Sequence, residues 1–189
     1  LDPWFLLVII LAFATRFYLL DSYPFPSIGD ELRDGGLDAV GIATGTLRNI
    51  FAYGRYESHG LIIPTFASFF YQLFGDSNLL FRVPAALLGS LDIILLYLLA
   101  KKIFNRKVGV LAALILIGMP LHLYYSRTEL VVIFSSILTT VCLWFSYLWI
   151  KNGFQFRQLL ALGLMLGFTI NFHGSARTVA YIMILLAVS

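Results

Sequence analysis

The sequence predicts an all-α protein: a polytopic transmembrane helix bundle with amphipathic juxtamembrane helices in its first external loop. Three observations predict it. Of 189 residues, 60% are hydrophobic and only 12% charged, about half the charge of an ordinary soluble domain. Mean hydropathy is +0.88, and several apolar runs approach or exceed the ~18 residues that cross a bilayer. The remaining charges are segregated. All four lysines lie at 101, 102, 107 and 151, whereas seven of the ten acids fall between 21 and 78.

The elements follow in order. A first span covers Trp4 to Leu20. Arg16 interrupts that run and no A-x-A-like site follows it, which marks a retained anchor rather than a cleaved signal. A long interval, 21–78, comes next and holds Asp21, Asp30, Glu31, Asp34, Asp38, Glu57 and Asp76. Span two covers Leu79 to Ala100, and the basic knot Lys101, Lys102, Arg106 and Lys107 follows it. Span three runs Val108 to Tyr125, span four Leu130 to Ile150, and span five Leu159 to Phe172. A sixth span begins near Thr178. The chain opens on Leu1 and closes on Ser189 within an apolar run. The expectation is therefore one amino-terminal module, 1–189, of a longer protein.

Basic residues orient the spans, because lysine and arginine concentrate in cytoplasmic loops. The lysine loops are then inside. The 21–78 interval, the Ser126–Glu129 turn and the His173–Arg177 turn face outside together, where three loops can build one site. Within the long loop, Glu31 to Phe51 carries Leu32, Leu37, Val40, Ile42, Leu47, Ile50 and Phe51, most of them on one helical stripe. Ser27 ahead of Asp30 fits a helix-capping pattern. That segment reads as a helix on the outer membrane surface. Leu61 to Phe74 is too short to span and reads as interfacial, with Pro64 in its first turn.

Composition also excludes some readings. The net charge of +3 is scattered or placed at span ends, which gives no nucleic-acid footprint. The single Cys142 cannot form an internal disulfide and reads as a small core hydrophobe. Gly163 and Gly167 in span five, and Ala85 and Gly89 in span two, read as close helix-packing positions.

Asp30 and Glu31 follow the stiff segment Tyr23-Pro24-Phe25-Pro26. Acids at a helix start are held ionised by free N–H groups and the helix dipole. Such a carboxylate can take a proton from a hydroxyl, or it can simply cap the helix. Glu57 and His59 can orient a hydroxyl or join a metal, though two ligands are too few to define a zinc-type site. Arg127, in a short polar turn, suits a phosphate through two parallel hydrogen bonds; a lipid headgroup or Glu129 would serve it equally. Arg16 and Asp92 are intramembrane charges, which usually face the bundle interior. Arg16 can snorkel outward, and Asp92 calls for a polar partner such as Asn171. His122, His173 and Arg177 sit near outer span ends and could line the same external cavity.

In this order the features resemble the GT-C glycosyltransferases, in particular the dolichyl-phosphate-mannose–protein mannosyltransferases and the bacterial lipid A aminoarabinose transferases. The resemblance rests on Arg16 closing span one and Asp30-Glu31-x-Arg33 in the first external loop. It continues through Gly54-Arg55-Tyr56-Glu57-Ser58-His59-Gly60-Leu61, then Phe74-Gly75-Asp76-Ser77, Arg82-Val83-Pro84-Ala85 and Tyr125-Ser126-Arg127. It implies transfer of a sugar, with inversion, from a polyprenyl-phosphate carrier to an acceptor hydroxyl on a protein, lipid or glycan. By the same resemblance, Asp30, Glu31 and Glu57 are the catalytic candidates, with Asp30 the base. Arg127, His59, Arg55, Arg33 and Arg177 are the substrate-binding candidates. No cofactor is certain; a divalent metal, if used, would draw on Asp30, Glu57 and His59. The implied setting is a multi-pass protein of a prokaryotic plasma membrane, its site facing outside among membrane lipids, with no nucleic-acid partner. One departure stands out: the family often carries His-Pro-Pro or Lys-Pro-Pro after the second acid, where this chain has His59-Gly60-Leu61. A transporter or lipid flippase using Arg16 and Asp92, and a non-catalytic scaffold, are the alternatives.

Overall fold

The computed structural model describes residues 2–24, 36–49, 51–54, 60–75, 77–128 and 130–169. Those residues form nine helices and no strand; Tyr53 and Gly60 make an isolated antiparallel bridge. The helices are α1 (Pro3–Phe17), α2 (Leu37–Ala43), α3 (Ile62–Ser68), α4 (Tyr71–Phe74), α5 (Leu79–Ile103), α6 (Arg106–Gly118), α7 (Pro120–Thr128), α8 (Leu130–Lys151) and α9 (Phe156–Thr169).

Helix α5 is the hub, packing against α1, α6, α7 and α8. It and α8 are long and apolar enough to cross a bilayer, and α6 with α7 qualifies as a third, broken span. Helices α1 and α9 are apolar but shorter. The sequence suggests one straight span over 108–125. The structure instead bends it by 64° between α6 and α7. Pro120 is the cause: it disfavours helical backbone at the preceding residue, and Met119 is extended, with ψ 115°. Pro120 then opens α7, where its missing N–H costs nothing.

Two further expectations are corrected. The helix expected to run to Phe51 ends at Ala43. Thr44 Oγ1 bonds back to the Val40 carbonyl at 2.8 Å and Gly45 takes φ +77°, so the chain turns away before Leu47. The interfacial stretch 61–74 is broken into α3 and α4. Helices α2 and α3 pack together, burying Ala39, Ile63 and Ala67 with Phe81, Ala85 and Leu130 from the ends of α5 and α8. That packing seats the loop helices on the bundle.

A second core joins Val8 and Ala12 of α1, Ile93 and Tyr97 of α5, and Ala113 and Ile117 of α6. Glycine makes two of these crossings close. A Cβ on Gly89 would collide with Ser126 of α7, and one on Gly109 would lie 2.9 Å from the Tyr97 carbonyl. A Cβ on Gly163 or Gly167, by contrast, would meet nothing within 4 Å among the described residues, so among them that motif makes no close crossing.

The two ends of the bundle differ. At one end Asp2 caps α1 through the Trp4 N–H and pairs with Lys101 at 3.1 Å and Arg106 at 3.8 Å. The Lys102 carbonyl accepts from Tyr147 of α8, so Lys151 lies near the same end. The opposite end carries the loop helices, the 18–24 segment and the start of α8.

Candidate functional site

Of the catalytic and substrate-binding candidates, Arg127 alone lies among the described residues. It stands in the last turn of α7 and is largely buried. Its Nη1 donates to the carbonyls of Thr15 (2.9 Å) and Arg16 (3.0 Å). Its Nη2 donates to those of Tyr18 (2.7 Å), Leu19 (3.4 Å) and Tyr23 (3.1 Å). The last carbonyls of a helix lack intrahelical partners and carry partial negative charge. Arg127 therefore caps α1 and holds the segment that leaves it. Arg82, fully buried near the start of α5, grips the next residues: the Leu20 carbonyl at 3.0 Å, Asp21 at 3.2 Å and Pro24 at 3.0 Å. Two guanidinium forks thus fix the backbone from Thr15 to Pro24, just ahead of Asp30.

Beside this clamp lies an open cavity of about 600 Å³. Thr15, Tyr18 and Tyr23 form one wall, Pro120, Leu123 and Tyr124 another, and Arg127 lines it as well. The lining is chiefly aromatic and aliphatic, with the Arg127 guanidinium its one charged group. An apolar groove lined in part by a cation can take a long hydrocarbon that carries an anionic headgroup.

Beneath the cavity sits a buried polar chain. Arg16 is fully buried, and its Nη2 meets His122 Nδ1 at 3.0 Å. Its Nη1 bonds Thr15 Oγ1 at 2.7 Å, and both nitrogens reach the α6 carbonyls of Leu116 and Ile117 at 3.2 Å. His122 Nε2 lies 3.2 Å from Asp92 Oδ2. Ser136 bonds the same oxygen at 2.6 Å, and Thr140 bonds Asp92 Oδ1. Arginine has no acceptor, so His122 Nδ1 must accept and its Nε2–H donates to Asp92. A neutral imidazole bridges a cation and an anion.

Two sequence expectations change here, for Arg16 and His122, and the expected polar contact of Asp92 is met. Arg16 does not snorkel; carbonyls and His122 hold it inside. His122 does not line the outer cavity; it turns inward to Asp92. Asp92 takes His122, Ser136 and Thr140 as partners, and Asn171 lies outside the described residues. Ser136 and Thr140 sit four apart on one helical face, which is the sequence signal that would have found them.

Asp30, Glu31, Arg33, Arg55, Glu57, His59 and Arg177 all lie outside the described residues, as does Glu129. The metal candidates Asp30, Glu57 and His59 are among them. No three His, Cys, Asp or Glu side chains gather as metal ligands among the described residues.

Residues 58–189 match the family described as dolichyl-phosphate-mannose-protein mannosyltransferase. The chain belongs to the dolichyl-phosphate-mannose-protein mannosyltransferase family. The match includes His59, Arg82, Asp92, His122, Arg127 and Arg177; Asp30, Glu31, Arg33, Arg55 and Glu57 precede it. No curated protein and no solved structure matches the chain. This mannosyltransferase family consists of GT-C membrane glycosyltransferases that use a polyprenyl-phosphate-linked sugar. With its apolar helices, this family member is an integral membrane protein.

Proposed function

We propose that the chain transfers a sugar from a polyprenyl-phosphate donor to an acceptor hydroxyl, with inversion, on the extracytoplasmic side of a prokaryotic plasma membrane. The observation that carries this reading is the apolar cavity lined in part by Arg127, at the end of the bundle away from the lysines. The polyprenyl chain would lie along Tyr18, Leu123 and Tyr124, with the donor phosphate toward Arg127. Because both Arg127 Nη atoms already serve backbone carbonyls, the guanidinium acts on that phosphate mainly by its charge. Electrostatic support of a leaving group often dominates such catalysis.

Asp30 is the proposed base. It would take the acceptor proton as the hydroxyl oxygen attacks the sugar C1 and the lipid phosphate departs. Glu31 and Glu57 would orient the acceptor or a divalent metal, with His59. Arg33, Arg55 and Arg177 would contact donor or acceptor. Pro24, the last residue held by Arg127 and Arg82, precedes Asp30 by six positions in the sequence. The 1–189 chain would be the amino-terminal membrane module of the transferase.

The test is sugar transfer in membranes holding the full-length protein, with radiolabelled polyprenyl-phosphate sugars. Asp30→Asn should abolish transfer while the protein accumulates normally. Undiminished transfer by that variant rules out Asp30 as the base. No transfer and no binding with any polyprenyl phosphate would overturn the transferase reading.

A further inference from the structure

We infer that His122 is a positioning residue: it pins the bent helix α7 against α1 and α5 and so fixes the width of the cavity. The inference rests on the transferase reading for what the cavity holds, and on geometry alone for the pin.

The geometry is specific. Helix α7 leaves α6 at 64°, so no continuous helical hydrogen-bond ladder sets its direction. Something else must hold it. Arg127 ties its far end to α1. His122, in its first turn, ties its near end to Arg16 of α1 and Asp92 of α5. Ser136 and Thr140 of α8 hold Asp92 in turn. Leu123 and Tyr124 follow His122 directly in sequence and line the cavity. Across the cavity, Thr15 is both a wall residue and a hydrogen-bond partner of Arg16. One imidazole therefore ties α7 to α1, both of which line the cavity, through a buried bond.

The chemistry also explains the residue type. The position needs one acceptor toward Arg16 and one donor toward Asp92. A neutral imidazole supplies both, and so does a carboxamide. An apolar side chain supplies neither. Losing the pin should loosen the cavity before donor arrives, so ordering would fall on the binding step.

The experiment uses the full-length protein in lipid nanodiscs, with Cys142→Ala as background. Spin labels at Ala14 and Leu121, both exposed, report the separation of α1 and α7. The wild-type distribution should be narrow. His122→Ala should broaden it, and should raise KM for the polyprenyl-phosphate sugar about 10-fold with kcat within about twofold, the signature of lost uniform binding. His122→Gln should restore both readouts. A narrow distribution and unchanged KM in His122→Ala would overturn the pin. Should His122→Ala fail to accumulate, His122→Gln decides: a narrow distribution supports the pin and a broad one overturns it. If the wild type transfers no sugar, the distance measurement still decides the pin, and only the transferase reading falls.

Discussion

Neutralising Asp92 should cost far more than its small size suggests, and the cost should depend on Arg16. The carboxylate accepts from His122, Ser136 and Thr140, and is fully buried. Its counter-charge lies across the imidazole, through contacts of 3.2 and 3.0 Å. With the ring between them, the two charges are about 8 Å apart, which at an effective dielectric of ~20 gives a mutual attraction of about 2 kcal/mol. Asp92→Asn removes that attraction and leaves Arg16 charged and uncompensated; breaking a buried pair costs about 3–5 kcal/mol. Arg16→Gln should cost a similar amount, because it strands Asp92. The double variant should cost about 2 kcal/mol less than the two singles together, since it leaves no lone charge. The assay is equilibrium unfolding in mixed micelles, run as a double-mutant cycle. Independent sites add to within about 0.5 kcal/mol. Additivity at that level would refute the bridged charge pair.

Three more outcomes follow from other contacts. Arg127→Lys keeps the charge but loses the planar fork; amide exchange across Tyr18 to Tyr23 should speed up and sugar transfer should fall at least about tenfold, whereas unchanged exchange would show that the clamp is not needed. Gly89→Ala should destabilise by about 1–3 kcal/mol through overpacking against Ser126, and Ser126→Gly should recover much of that loss in the same unfolding assay. At the opposite end, partial burial works against the Asp2 charge, but bonds from Lys101, the Trp4 N–H and Tyr97 outweigh it and hold the carboxyl below its ordinary value. A lowered carboxyl stabilises the fold above its unfolded pKa, and that stabilisation is lost as pH falls through the lowered folded value. Wild-type thermal stability should thus fall on acidification below about pH 4 more steeply than that of Asp2→Asn, and identical profiles would contradict the pairing.

Much of the architecture was legible in the chain. Apolar run length marked α5 and α8, because crossing a bilayer demands a minimum stretch of hydrocarbon-compatible residues. Lysine placement marked one end, because α5, α6 and α8 all turn there. Interruptions were legible only where their chemistry is local. Pro64 stands in a helix's first turn, as its place in the sequence implies. Pro120 is invisible to the hydropathy of its apolar run, since hydropathy does not register a missing N–H. The apolar stripe carries the expected outer helix on to Phe51, past Gly45, whose positive φ turns the chain away.

The site divides in the same way. Sequence alone determined that this is an all-α membrane protein, and it singled out Arg16, Asp92 and Arg127 as charges that need a reason, because an ion in an apolar run is costly wherever it ends up. What each charge meets was decided only by tertiary structure. Arg127 reaches carbonyls more than a hundred positions away, and Asp92 finds His122, Ser136 and Thr140 on two other helices. Periodicity reports which face of a helix a residue occupies. It carries no information about which helix packs against that face, and partner choice is set by the crossing of α1, α5, α7 and α8 and by the bend at Pro120.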